Sequence, residues 1–519
     1  MNNKIEIYDS TLRDGAQMHK ISFSVSDRIK IVKKLDEFGI DYIEAGNPGS
    51  NPKERLFFNK IEKVNLQHSK IVAFGSTKRA DLKVEDDKNL EALVQAKTDI
   101  VCIYGKAWDF QVTEILRTTL KENLKMIESS IKFLIKNDKE VFFDAEHFFD
   151  GYKENKQYAI EVIKTAINAG ATRIILCDTN GGTLSTEIYD IVKNVCKQFK
   201  DIKFGIHCHN DMELACANSL IAIDAGVYQV QGTINGYGER CGNANLCSII
   251  PTLEIKKNKK CLKNSDNLAM VTEVARYVDD VANHISNPNN PYVGALAFTH
   301  KAGAHINAVN KNTKSFEHIN PDIVGNSRKK LISELAGKSA IYEIAEKYLP
   351  EISKTDERLV KSLKKIKDLE KSGYQFEDAT GSIELIVAEE LGIYKRFINI
   401  IYTKVIIERE NSVAVVKVKI KDRERLSSAE GKGPVDAIDT ALRKAIGKLY
   451  KSLLNVKLID YKVRALDSSK GCEARVLVNI QTSNGKTQWN TVGVSTDIVS
   501  ATTEALIDSI EYAQLHNLL

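Results

Sequence analysis

Short apolar runs and longer charged stretches take turns along the first 235 residues of the chain. The runs are KIEIYDS (4–10), DYIEAG (41–46), KIVAFGS (70–76), TDIVCIYG (98–105), EVFFDAEH (140–147), TRIILCDTNGG (172–182), KFGIHCHND (203–211) and YQVQGTINGYGER (228–240). They are rich in β-branched and aromatic residues, the composition of buried strands. The stretches between them carry apolar residues at helical spacing. In SDRIKIVKKLDEFG (26–39), Ile29, Val32 and Leu35 recur every three residues and Gly39 closes the segment. YAIEVIKTAINAG (158–170) also ends in glycine.

Strands alternating with helices predict a parallel sheet, and eight of them predict a closed (β/α)8 TIM barrel, an α/β fold over residues 1–265. An open doubly wound sheet has fewer strands and a Gly-rich loop after the first, and no GxGxxG follows here. Residues 266–390 change to helices and irregular segments. NPNNPYVG (287–294) is a turn-rich boundary, and Leu359, Leu363, Ile366 and Leu369 form one stripe of an amphipathic helix. These mainly helical linker subdomains are expected to contribute to the mouth of the active site.

The remainder, 391–519, alternates with period two in VIIERENSVAVVKVKIK (405–421), LIDYKVRALD (458–467) and EARVLVNIQTSNGKTQWNTVGVS (473–495). Helix patterns at Ala437…Leu442 and Ala501…Leu506 follow strands and lie 64 residues apart. The segment therefore reads as a duplicated βββα unit, an α+β domain of its own. Pro434, Thr496 and Asp497 suit the first turns or caps of its helices.

Bulk composition narrows the class. A chain of 519 residues is too long for one core, and 43% hydrophobic with 28% charged residues argues against disorder. The net charge of +5, from 74 basic and 69 acidic residues, is small and dispersed, which predicts no nucleic-acid partner. Nine cysteines without a CxxC pair read as reduced thiols. MNNKIEIYDS runs straight into a strand with no signal-peptide core, and no apolar run approaches the ~18 residues of a membrane span. A soluble cytoplasmic protein without a membrane partner is expected.

Polar residues gather at the C-terminal ends of the strands: Arg13/Asp14, Glu44, Glu146/His147, Asp178/Thr179, His207/His209 and Glu239/Asn243. In barrels that face carries the chemistry, whereas a core would be apolar there. Adjacent side chains on an extended segment point to opposite faces, so Arg13 and Asp14 should have different partners. The alternative is a simple surface ion pair. His207 and His209, two apart on one strand, point the same way and suggest a metal site; a hydrogen-bonded or exposed pair is the alternative. Asp14 would add a carboxylate, because strand eight alone separates strands one and seven in a closed barrel. Asn243 would add a neutral oxygen. Such a set leaves open positions and suits Mn²⁺, Mg²⁺ or Zn²⁺ without choosing among them.

In that order on a barrel, DSTLRDGAQ, YIEAG, HCHND and GERCGNANL resemble an aldolase-like, metal-dependent family. It contains 2-isopropylmalate, homocitrate and citramalate synthases and the hydroxymethylglutaryl-CoA lyases. The resemblance covers nearly the whole chain, including a C-terminal domain of the synthases' allosteric type. FFDAEHFFDGYK (142–153) and LCDTNGGTL (176–184) are most similar to the citramalate synthase branch. One position departs: Ala16 stands where many synthases have glutamate, so no role of that glutamate carries over.

The resemblance implies an acyltransferase that condenses acetyl-CoA with pyruvate and hydrolyses the thioester to give citramalate, on the way to isoleucine. Synthesis of 2-isopropylmalate or homocitrate from other 2-oxo acids is the near alternative. Asp14, His207, His209 and Asn243 would hold the metal, and the 2-oxo acid would chelate it. Arg13, oriented by Glu44, would stabilise charge on the keto oxygen. Glu146 and His305, the latter in THKAGAHIN (299–307), are the candidates for proton transfer, with His300 the rival in the same motif. In the family this histidine is paired with a glutamate. Thr179 and Gln17 are assigned with Arg13 to substrate binding; capping the next helix is the alternative for Thr179. The aromatic segment HFFDGY (147–152) would fill space beside the keto-acid side chain, unless Phe148 and Phe149 are core. The C-terminal domain would bind an amino-acid effector, isoleucine, and join a homodimer; dimerisation without a ligand is the alternative.

Other classes fit less well. Metal-dependent barrel hydrolases carry their HxH at strand one, whereas here it lies on strand seven. Lyases of the same family lack a long C-terminal domain. A binding or scaffold protein has no need for so many charged groups at one barrel mouth.

Overall fold

The computed structural model describes residues 4–518 except 301, 331–337, 377–378, 409–410, 448–452, 454–455, 467–473 and 486. The chain divides into two compact units. One comprises the residues up to Phe298 with Ile319–Arg328, and the other Thr299–His318 with Lys329–Leu519.

In the first unit, eight strands close into a barrel in sequence order. They are β1 (Glu6–Asp9), β2 (Tyr42–Glu44), β3 (Lys70–Ser76), β4 (Ile100–Lys106), β5 (Glu140–Glu146), β6 (Arg173–Asp178), β7 (Phe204–Cys208) and β8 (Gln229–Gly232). All are parallel, and β8 closes on β1 from Glu6↔Gln229 to Asp9↔Gly232. Each of the eight apolar runs contains a strand, and its polar residues fall at the strand's C-terminal end, as Glu44, Glu146, Asp178 and His207 do, or in the loop that follows. The helices between them are bounded by local chemistry. Ser24 and Asp27 form a reciprocal capping box at the start of Val25–Phe38, and Gly39, at φ 96°, ends it.

The period of two along each strand sorts the barrel interior into layers. At the N-terminal end, Arg173 makes paired hydrogen bonds of 2.9 and 2.8 Å to Glu6. Gln229 donates to the same carboxylate. Above them Tyr8, Tyr42, Phe142 and Ile175 fill the cross-section, Tyr42 and Phe142 meeting edge to face at 5.3 Å. Beyond them the interior turns polar: Cys102 and Gln231 both reach Asp144, Gln231 also reaches His207, and Glu44 takes the hydroxyl of Tyr8. Phe148 and Phe149, fully buried on the helix Phe148–Glu154, belong to the apolar core and not to the pocket wall. The space-filling role expected of HFFDGY beside a substrate is thus not theirs.

The second unit contains the duplication. Strands Ile398–Ile407, Ser412–Ile420 and Arg423–Gly431 form one antiparallel sheet, followed by the helix Pro434–Gly447. Strands Lys457–Ala465, Val476–Ser483 and Gln488–Ser495 form another, followed by Ile498–Leu515. Pro434 opens the first helix, and Asp497 caps the second by accepting from the amides of Val499 and Ser500. Asp467, Glu473 and Lys486, within the expected strands, lie outside the described residues. Among the described residues no helix is long and apolar enough to cross a membrane.

Candidate active site

The polar layer is the floor of a cavity of about 530 Å³ at the C-terminal ends of the strands. Its lining includes Arg13, Asp14, Gln17, Glu146, Thr179, His207, His209 and Glu239. Glu44, fully buried, lies beneath Arg13.

β1 does not run on as an extended strand through Arg13 and Asp14. The chain turns after Asp9, and Asp14 has α-helical torsions, φ −68° and ψ −44°. The two side chains therefore touch, with Arg13 Nη1 3.1 Å from Asp14 Oδ2. The expectation of opposite faces fails because it assumed a strand where there is a turn. Separate partners exist all the same. Arg13 Nε donates to Glu44 Oε2 at 2.5 Å, and its guanidinium lies 3.7 Å above the centre of the Phe74 ring. Glu44 also accepts from Tyr8 at 2.7 Å and from the Ser10 hydroxyl. A buried carboxylate accepting from three donors fixes the guanidinium in one orientation.

Asp14 faces the histidines. Its Oδ2 is 3.3 Å from His207 Nε2 and 4.0 Å from His209 Nε2. One ligand atom from each of the three residues can be chosen so that all lie within 4.8 Å of one another. Burial opposes the charge on Asp14, yet Arg13 and His207 hold its carboxyl far below the usual carboxylate range. Burial also opposes charge on His207, but Asp14 raises its pKa. His209 is pushed down to about 4 by burial and by His207. It is therefore neutral at pH 7, the form that ligates metals.

Asn243 sits beside this group, its backbone bridged to that of His209. Both polar atoms of its side chain are buried without a hydrogen-bond partner, as is His209 Nδ1. Leaving such atoms unsatisfied costs about 1–3 kcal/mol each. Two neutral donors lacking partners, beside a carboxylate and a second imidazole, are what a divalent cation site provides. The residues present fit such an ion.

The other expected residues are distributed as follows. Glu146 Oε2 lies 2.5 Å from Lys106 Nζ in the pocket wall. Thr179 does not cap the next helix: its Oγ1 accepts from the His147 amide at 2.8 Å. Gln17 is exposed on a short 3-10 turn and lines the pocket. His147 turns away, 3.3 Å from Asp150, and Asp178 is engaged by the Thr183 hydroxyl. His305 belongs to the second unit, where its exposed ring stacks on Phe316 at 4.0 Å. Of the two histidines in that motif, the one paired with a glutamate is His300, with Nε2 3.0 Å from Glu317.

Several pocket residues did not stand out in the sequence. Asp144 was detectable, since it lies two residues before Glu146 on a strand and so shares its face. Its carboxyl is raised to about 6 by burial and by Glu44. Arg28 and Glu54, paired at 2.6 Å in the pocket wall, come from two helices and carry no local signal.

A family model described as HMGL-like matches residues 4–278. A homocitrate synthase post-HMGL domain-like model matches 292–373, and a LeuA allosteric (dimerisation) domain matches 378–514. The chain belongs to the HMGL-like family, with the synthase-type domains that follow the barrel. It is 48% identical over 99% of its length, and 98% of the relative's, to an (R)-citramalate synthase of Aquifex aeolicus. A second (R)-citramalate synthase, of Geobacter sulfurreducens, is 47% identical over the same shares. A 2-isopropylmalate synthase of Pyrococcus furiosus is 31% identical over 98% of this chain and 99% of the relative.

Proposed function

We propose that the protein condenses acetyl-CoA with pyruvate and hydrolyses the thioester, giving citramalate and free CoA. The observation that carries this reading is the buried Arg13–Asp14–His207 cluster on the floor of one pocket. Full-length similarity to (R)-citramalate synthases supports it. Asp14, His207, His209 and Asn243 would hold a divalent ion, Mn²⁺, Mg²⁺ or Zn²⁺, which supplies Lewis acidity and a template for the 2-oxo acid.

The chain's own groups do the rest. Arg13, locked by Glu44, directs a fixed positive charge at the keto oxygen and stabilises the negative charge that develops there. Thr179 accepts from His147 and so keeps its own O–H to donate to the substrate carboxylate. Gln17, at the rim, adds a further donor. Glu146 is the carboxylate of the wall suited to take a proton from the acetyl methyl, with Lys106 beside it fixing its position. His305 and its rival His300 are the histidine candidates for a second proton transfer. Phe74 and Tyr104, stacked at 5.5 Å, are the aromatic part of the pocket lining and would pack beside the methyl of pyruvate.

The match to an allosteric dimerisation domain supports self-association and regulation by the C-terminal part, and the proposal takes a homodimer with isoleucine as its amino-acid effector. A cytoplasmic location accords with these substrates. The 31% relative keeps 2-isopropylmalate synthesis, from a larger oxo acid, as the second reading.

Thiol release from acetyl-CoA by metal-reconstituted protein tests the proposal, with pyruvate, 2-oxoisovalerate and 2-oxoglutarate in parallel. Release with pyruvate that Asp14→Ala abolishes is the expected result. Preference for 2-oxoisovalerate would establish the second reading, and no release with any acid would overturn both.

A further inference from the structure

We propose that Gln231 is a positioning residue that fixes the tautomer of His207, and that Asp144 fixes Gln231 in turn. The inference rests on the metal reading above and deepens it. Gln231 is fully buried on β8. Its Oε1 lies 2.9 Å from His207 Nδ1, and its Nε2 lies 3.3 Å from Asp144 Oδ1. The same Asp144 oxygen accepts from the Cys102 thiol at 3.1 Å.

An amide has one donating and one accepting end, and an ionised carboxylate only accepts. Asp144 therefore draws the NH₂ of Gln231, which turns the carbonyl oxygen toward His207. That oxygen only accepts, so the imidazole carries its proton on Nδ1. Nε2 is left with a lone pair directed at Asp14 Oδ2, 3.3 Å away. Two acceptors at that distance need a cation between them, or a second proton on the imidazole that the ion displaces.

The relay matters because the other tautomer offers a competing arrangement. With its proton on Nε2, His207 would hydrogen-bond Asp14 directly, and the two ligands would satisfy each other and exclude the ion. Gln231 removes that option by engaging Nδ1–H, and partners of this kind commonly set ligand orientation and basicity.

The test is titration calorimetry of Zn²⁺ and of Mn²⁺ into the metal-stripped full chain, with Gln231→Leu and Gln231→Glu beside wild type. Gln231→Leu removes the acceptor and is expected to weaken binding by about 10–100-fold. Gln231→Glu keeps an oxygen facing Nδ1, with its other oxygen sharing one proton with Asp144, and is expected to lose less affinity than Gln231→Leu. The melting temperature of each metal-free protein separates a lost relay from a lost fold. Wild-type affinity in Gln231→Leu, or an equal loss in both variants, overturns the proposal. Should Gln231→Leu not fold, the ring ¹⁵N signals of His207 in the metal-free wild type decide. They are assigned by their absence from His207→Asn. Protonation at Nδ1 supports the relay, and a proton on Nε2 alone overturns it. A wild-type chain that binds neither ion would instead defeat the metal reading itself.

Discussion

The guanidinium of Arg13 touches two carboxylates at once, its Nε 2.5 Å from Glu44 and its Nη1 3.1 Å from Asp14. One cation thus neutralises a structural acid and a prospective ligand, while its ring contact with Phe74 holds it flat. Lysine has neither the planar fork nor the stacking face. Arg13→Lys is expected to lower kcat by about 10²–10³-fold, the loss typical of a donor aimed at a developing oxyanion. Steady-state kinetics check this; a change confined to KM would contradict the assignment.

The loop presenting Asn243 depends on backbone that only glycine can supply. Gly242 has φ 89°, and a Cβ there would meet the carbonyl oxygen of Gly236 at 2.1 Å. Gly242→Ala should cost about 1–3 kcal/mol of stability and weaken metal binding, both measurable by calorimetry. Gly182, whose Cβ would meet nothing within 4 Å, is the matched control and should tolerate alanine.

Substrate choice should follow the pocket wall and not the HFFDGY segment. Tyr104→Ala is expected to raise relative kcat/KM for 2-oxobutyrate over pyruvate, since one methylene in an apolar pocket is worth about 1–3 kcal/mol. Phe149→Ala, in the core, should destabilise the fold by about 3–5 kcal/mol and leave that ratio unchanged. A shifted ratio in Phe149→Ala would return the segment to the pocket.

The two histidines of THKAGAHIN differ in setting. His300 is held by Glu317, whereas His305 is exposed against Phe316. An imidazole oriented by a carboxylate is the better acid–base group. His300→Asn is therefore expected to reduce turnover much more than His305→Asn. Equal losses, or a larger loss at position 305, would reverse the order of the candidates.

Glu511 gives the second unit a pH dependence. Burial raises its carboxyl from 4.5 to about 7, although Tyr394 and the amides of Phe397 and Ile398 donate to it. The folded chain then binds a proton that the unfolded chain releases between those values. Stability from this group is complete below pH 4.5 and is lost as pH rises through 7. Glu511→Gln cannot titrate, so its melting temperature should fall less than that of wild type between pH 5.5 and 8. An identical fall in both would remove Glu511 as the cause.

Most of the architecture was written in local pattern. The eight strands show as β-branched runs, and the 64-residue offset between Ala437 and Ala501 marks the duplicated unit. The convergence of His207, His209 and Asp14 followed from counting strands around a closed barrel. Two things escaped. The turn at Arg13–Asp14 is held by Ser10, whose carbonyl accepts from the amides of Arg13 and Gly15 and whose hydroxyl accepts from Asp14 and donates to Glu44 of the neighbouring strand, a combination that strand periodicity does not encode. Gln231 looked like an ordinary strand residue because its meaning lies in β5 and β7, far away in the chain.

The crossbar of Arg173 on Glu6, with Tyr8, Tyr42 and Phe142 stacked above it, has a kinetic meaning. It fills the barrel at its N-terminal end and gives the pocket a closed floor. Whatever seats against His207 must arrive before a bulkier co-substrate covers it, and must depart after that molecule has gone. On the proposed function this predicts a queue, first in and last out, with the oxo acid at the bottom.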